Sequence, residues 1–404
     1  MARGITNSPG KLRRLAIVAG HPVQYISPWL NELADKAGIE LKVFYLWDLG
    51  VSSAKDPGFG RPLQWDIPLL EGYAYQFIPN RASKPGNSHF FGYFNPGLAS
   101  NLAAWRPDAI LLMNFAFLTY VLLLLDPRFW KVPFIFRGDS HNLSRTPGLK
   151  NRISRLFRNL LFRRFGACLV VGKANYHYYR DAGVPASKLF TGLHAVDNAR
   201  FIDAEKSAAL KAGELRKNLG INREIVIIFV GKFVEVKRPL DLLIACAQLP
   251  AHLLRTAKIV FVGDGPLKET IRRQAERLGL DGVLFLPFQN QSMLPAVYSM
   301  GDVLVLPSLS ETWGLVVNEA MNLGCPAIVT ERVGCAYELV VPGHTGWVFP
   351  PGNPGALRQC VEEALSDPER LHQIGENARR HVLQFSYDGI TASLQQALQH
   401  ACHA

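Results

Sequence analysis

Short runs of branched and aromatic residues, each closed by glycine, proline or a polar turn and followed by a stretch with helical spacing, recur through both halves of the chain. Runs apolar on both faces belong to a parallel sheet covered by helices on either side. In the first half, LAIVAG at 15–20 and LKVFYL at 41–46 read as strands around a helix at 28–37, and AILLMNF, VPFIFRG and CLVVG supply further strands after an irregular Gly/Pro/Asn-rich insertion at 76–97. In the second half, strands within EIVIIFVGKF, KIVFVGDG, VLFLPF, VLVLPS and PAIVT alternate with helices at 239–249, 266–278, 292–299 and 315–324. The expected fold is α/β, with two Rossmann-like βα domains facing across a cleft.

At 404 residues the chain exceeds what one core usually holds, and its 48% hydrophobic content can fill two. The change of rhythm places a first domain at 1–198, a linker at 199–222, a second domain at 223–385 and a helical tail at 386–404. The tail needs a body to dock on, and the first domain is the one expected. Tandem βα domains place a ligand site in the cleft between them, where the carboxyl ends of strands can face one another.

Several classes are excluded early. The six cysteines include no CxxC pair and no Cys/His cluster with metal-ligand spacing, so buried thiols are expected rather than bridges, and no metal site. Basic residues before the apolar run at 15–20 imitate a signal peptide, but the run ends at His21-Pro22 without a cleavage pattern. The apolar stretch at 109–125 is too short for a bilayer span and is broken by Asn114, Thr119 and Tyr120. It reads as strand, turn and buried helix, in a protein expected in the cytoplasm.

Three segments point to phosphate handling. Gly231-Lys232 with Lys237 ends a strand with a flexible turn and two cations five residues apart, suited to a diphosphate. The segment 310–319 follows a buried strand and opens a helix at Gly314-Leu315, where unpaired amides can hold an anion while Glu311 and Glu319 reach into the same cleft. Two carboxylates beside a polyphosphate are tolerable when they address its hydroxyl-bearing ends, as a nucleotide sugar provides. The turn Gly263-Asp264-Gly265-Pro266 is equally well a tight strand-to-helix connection. Neither a G-x-G-x-x-G fingerprint nor a P-loop is present.

Together with Glu319 to Pro326, Val333-Gly334, Glu338-Leu339-Val340 and Gly343-His344-Thr345-Gly346, these segments resemble retaining glycosyltransferases of the GT-B fold, family 4. The resemblance is strongest over 225–352. It implies a nucleotide-diphosphate sugar as donor, with no further cofactor, and a glycan, lipid-linked glycan or small molecule as acceptor. It further implies that Lys232, where relatives more often have arginine, and Lys237 bind the diphosphate. Glu311 would contact sugar hydroxyls, with a nucleophile as its alternative role, and Glu319 would hold the ribose. The amides around Gly314 and Leu315 would face sugar or phosphate, and backbone near Phe288 would read the base. The donor-facing histidine of relatives corresponds to Asp139 or His141 in Phe136 to His141, and the sequence does not choose between them. His21 and Gln24 are either ligand contacts or parts of a capped turn. A nucleotide-sugar hydrolase or epimerase, or a non-catalytic binder, are the alternatives.

Charge is unevenly placed: residues 1–200 carry a net +13 and residues 201–404 a net −2. Within 149–165, Ile153, Leu156, Phe157 and Leu160 fall on one face of a helix whose remainder is basic through Lys150, Arg152, Arg155, Arg158, Arg163 and Arg164. That face either packs on its own sheet or lies on an anionic membrane. No nucleic-acid motif accompanies the basic residues.

Overall fold

The computed structural model describes residues 13–36, 38–51, 55–56, 61–62, 64–143 and 149–403. In the first domain β1 (Arg13–Ala19), β2 (Ile39–Tyr45), the two-residue antiparallel pair β3 (Lys55–Asp56) and β4 (Arg61–Pro62), β5 (Ala74–Phe77), β6 (Ala109–Leu112), β7 (Phe134–Arg137), β8 (Phe165–Val170) and β9 (Leu189–Thr191) follow in chain order. Seven of them form a parallel sheet in the order β5-β2-β1-β6-β7-β8-β9. In the second domain β10 (Ile225–Val230), β11 (Ala257–Val262), β12 (Val283–Leu286), β13 (Val303–Leu306), β14 (Ala327–Thr330) and β15 (Gly346–Phe349) form a parallel sheet ordered β12-β11-β10-β13-β14-β15.

The order reverses beside β1 in one sheet and beside β10 in the other, so each domain opens a crevice at the carboxyl ends of its central strands. Both central strands are buried on both faces, Ile17 sitting between Val43 and Leu111, and Ile228 between Val260 and Leu304. One apolar cluster runs from the inner face of the first sheet through Phe201 and Trp313 to the inner face of the second. The two crevices are thereby held facing one another.

Elements with strong periodicity fall where the sequence puts them. The stretch at 109–125 becomes β6, a turn and the helix Leu118–Leu125, and among the described residues no helix is long and apolar enough to cross a membrane. The edge strands β9 and β15 escape the sequence because three or four residues show no period. The helical tail is the helix Tyr387–His403, separated from the preceding helix Pro368–Val382 where Phe385 turns into the core. The last helix crosses to the first domain: buried Trp29 Nε1 donates to Thr391 Oγ1 at 3.1 Å, and Ser393 Oγ donates to the Thr191 carbonyl on β9.

The helix Leu149–Phe162 corrects the expected face. Leu156, Phe157 and Leu160 are exposed, Leu156 by 74%, while Arg158, Leu161 and Phe162 point inward. The inward stripe is set by Phe162, which packs in an aromatic cluster with Phe115, Phe136, Phe165 and Tyr179, and this turns the leucines outward. The side chains of Lys150, Arg152, Ile153 and Arg155, like the basic segment before Arg13, lie outside the described residues.

Candidate active site

The second-domain crevice is built by close approach of strand ends. β10 leads into Gly231, and β11 into Gly263, whose backbone sits so near that a Cβ there would lie 2.0 Å from the Gly231 carbonyl oxygen. On the other side of β10, β13 leads into a loop that ends at Gly314, in the left-handed region at φ 94° and ψ 56°. Gly314 opens the helix Leu315–Asn322, whose first amides have no partner within the helix.

These pieces surround a cavity of about 280 Å³ lined from the second domain by Gly231, Lys237, Phe288, Glu311, Gly314, Leu315 and Glu319, among others. The first domain contributes Gln24, Tyr25, Trp65, Asp139 and His194 to the same walls. The sequence therefore names much of the second-domain wall. Lys232 and His141 are placed outside it: Lys232 follows the Gly231 turn as a half-buried residue, and the His141 ring is held elsewhere. His141 Nδ1 accepts from the Leu143 amide at 3.3 Å, and Nε2–H donates to the Glu311 carbonyl at 2.8 Å. The imidazole is a tie between domains at the backbone of Glu311, while Asp139 faces the cavity.

The charged groups are already engaged with one another. Lys237 Nζ donates to Glu311 Oε2, with both side chains about four-fifths buried. Glu319 is buried and accepts from Tyr298 Oη–H at 2.6 Å. Burial lifts its carboxyl above the ordinary range, while the Tyr298 hydrogen bond and the Arg200 charge pull it back. Arg200 is positioned by Gln291, donating to its carbonyl at 2.8 Å and to Oε1 at 2.7 Å.

His194 is the residue the sequence conceals. It lies in an undistinguished segment after β9, yet it is buried between Trp313 and Tyr25, with ring centroids 5.4 and 6.0 Å away. Burial, aided by the Arg137 charge, holds its pKa well below that of a free imidazole, so it is neutral at pH 7. Trp65 likewise reaches the site, from the segment between β4 and β5, and stands 6.3 Å from the Phe288 ring. Gln24 lines the main cavity; His21 lines a neighbouring one and meets Trp47 edge-on. Among the described residues no three His, Cys, Asp or Glu side chains gather as a metal site.

Asp139 occupies a distinctive place. It lines the main cavity and two further cavities in the first domain, of about 310 and 340 Å³. A molecule entering through the first domain and one held by the second would meet at this carboxylate.

Residues 212–381 match the family model described as glycosyl transferases group 1. Over 222 residues the chain is 28% identical to an alpha-D-kanosaminyltransferase of Streptomyces kanamyceticus, covering 55% of this chain and 56% of that protein. A D-inositol 3-phosphate glycosyltransferase of Catenulispora acidiphila is 34% identical over 221 residues, covering 52% and 50%. The chain thus spans about half the length of these curated relatives. Among solved structures, Anabaena Alr3699/HepE in complex with UDP and glucose superposes with a TM-score of 0.70 at 20% identity, over 96% of this chain and 99% of that one. That likeness extends the shared two-domain fold across both halves.

Proposed function

Through residues 212–381 this chain belongs to the group 1 glycosyl transferases, and from that premise we propose that it moves a sugar from a nucleotide-diphosphate sugar to an acceptor, with retention at the anomeric carbon. The observation that carries the reading is the single cleft cavity in which Lys237, the Gly314 helix start, Glu311 and Glu319 from one domain meet Asp139 from the other. Lys237 and the amides at Gly314 and Leu315 take the diphosphate, with Lys232 supplying charge from outside the wall. Glu319, backed by Tyr298, accepts from ribose hydroxyls, and Phe288 with Trp65 borders the base.

In the transfer, the bond from sugar C1 to the diphosphate oxygen breaks as the bond from C1 to the acceptor oxygen forms on the same face. The acceptor proton passes to the departing diphosphate. Negative charge grows on that diphosphate, and the lysine and helix amides bind it more strongly as it leaves, which lowers the barrier. Glu311 and Asp139 hold sugar hydroxyls and position C1.

The test is nucleoside-diphosphate release from UDP-, GDP- and ADP-sugars, with candidate acceptors present and absent. Acceptor-dependent release supports the transferase; free sugar appearing at the same rate without acceptor identifies a hydrolase instead.

A second contact surface is favoured by the exposure of Leu156, Phe157 and Leu160 on a helix in the basic half of the chain. We read it as a face for anionic lipid. Co-sedimentation with anionic but not neutral vesicles is expected, and equal recovery from both removes the reading.

A further inference from the structure

The helix Leu149–Phe162 is inverted: it exposes Leu156, Phe157 and Leu160 and buries Arg158, which is only 4% accessible. The ordinary preference runs the other way, since arginine is almost never fully buried unless paired. The Arg158 guanidinium lies 4.6 Å from the centroid of the Tyr178 ring, a contact that stabilises its face. Its edge is not served. Nε and Nη1 are buried without a hydrogen-bond acceptor, and among the described residues no carboxylate forms an ion pair with it. A guanidinium cannot shed its proton to escape burial, so an anion is the partner that would also balance its charge.

Arg158 lines the cavity of about 340 Å³ in the first domain, whose walls include Met113, Phe115, Phe136 and Phe157 and which has Asp139 at its other side. Phe157 is half exposed, so the apolar wall continues to the surface. The cavity therefore offers a buried cation, an aromatic wall leading outward, and direct continuity with the carboxylate where donor and acceptor meet.

We propose that Arg158 holds an anionic group of the acceptor, a phosphate or carboxylate attached to an apolar segment that runs along Phe115, Phe136 and Phe157. The inference rests on the transferase reading of the cleft and names the acceptor's chemistry. Arg158 acts as a specificity and positioning residue. Because Nε–H and Nη1–H lie on opposite edges of the guanidinium, one anion meets the cation along one edge, and the remainder of the acceptor extends past Asp139.

The experiment is calorimetric titration of the full chain with n-hexyl phosphate, inorganic phosphate and n-hexanol, on the wild type and on Arg158→Gln, Arg158→Lys and Lys237→Ala. Hexyl phosphate is expected to bind the wild type at least about tenfold more tightly than either control, the gap of one charge-assisted hydrogen bond. Arg158→Gln is expected to bring it down to the level of hexanol, Arg158→Lys to an intermediate affinity, and Lys237→Ala to weaken it less than Arg158→Gln does. Equal affinity for hexyl phosphate and hexanol overturns the anion site, and equal affinity for hexyl and inorganic phosphate overturns the apolar wall. Loss of binding in Lys237→Ala with retention in Arg158→Gln places the anion at the donor site and also overturns the proposal. Should Arg158→Gln unfold, the wild-type comparison and the lysine variant decide alone. Failure of the transferase reading appears separately, as absence of nucleoside-diphosphate release from every donor tested.

Discussion

Lys237 and Glu311, 74 residues apart, form an ion pair in the wall of the cleft cavity. The pair links the cation proposed for the leaving group to the acid proposed for the sugar. A donor that draws Lys237 toward its phosphates releases Glu311 for the sugar hydroxyls, so the two roles are coupled. Lys237→Ala is expected to lower kcat at saturating donor by roughly a hundredfold or more, as removal of one transition-state donor does, with a smaller change in donor affinity. Steady-state kinetics check this, and unchanged kcat removes Lys237 from the leaving-group role. In a double-mutant cycle with Glu311→Gln, the two kcat effects should fall well short of additive.

Glu319 separates binding from stability. Its folded carboxyl titrates above the ordinary 4.5 because burial opposes the charge. The folded chain therefore holds this proton where the unfolded chain has lost it, and the stability it contributes, full below 4.5, declines as pH rises through the raised value. Glu319→Gln lacks that decline, so relative to wild type its thermal midpoint should improve with rising pH across that window. Its affinity for donor nucleotide should fall about tenfold for one lost charge-assisted hydrogen bond. Melting curves against pH and nucleotide titration measure the two effects independently. A midpoint difference flat in pH contradicts the buried-carboxylate account.

The sequence exposes one part of the site and hides another for a physical reason. Gly231, Lys237, Glu311, Gly314 and Glu319 lie on two continuous strand-to-helix connections, so spacing along the chain survives as proximity in space. His194, Trp65 and Tyr298 come from a post-strand loop, the connection between β4 and β5, and a core helix, and only the packed fold brings them to the cavity. Arg158 misleads in the opposite direction. Its charge reads as solvated, whereas the aromatic cluster around Phe162 fixes the rotation of its helix and carries the charge inward. The choice between Asp139 and His141 also waits on tertiary structure, because it depends on the Glu311 carbonyl capturing the imidazole.

Gly314 tests whether the helix start is placed by strain that only glycine avoids. An alanine there must hold φ near 94° and put its Cβ 2.8 Å from Val333 Cγ1. Gly314→Ala is expected to cost about 1–3 kcal/mol of stability, measured by urea unfolding. It should also weaken nucleotide binding, since relief of the clash moves the Leu315 amide. A variant with wild-type stability and affinity would show that the turn relaxes without cost.

His194 predicts an acid-sensitive cleft. Its folded pKa lies well below the ordinary 6.5 because burial between Trp313 and Tyr25 excludes the charged ring. The unfolded chain therefore binds a proton that the folded chain refuses, and the stability His194 contributes, full above 6.5, is lost as pH falls toward the depressed value. Because the ring bridges the domains, with its own carbonyl accepting from Asn318 at 3.3 Å, the loss should be felt at the domain junction first. His194→Phe removes the titration while keeping an aromatic ring against Trp313. Between pH 7 and pH 5 the wild type's thermal midpoint should fall further than the variant's, and hydrogen exchange should show the excess opening at 194–196 and 313–318. Parallel declines in both proteins would mean that the imidazole is hydrated and that the junction owes its stability to other groups.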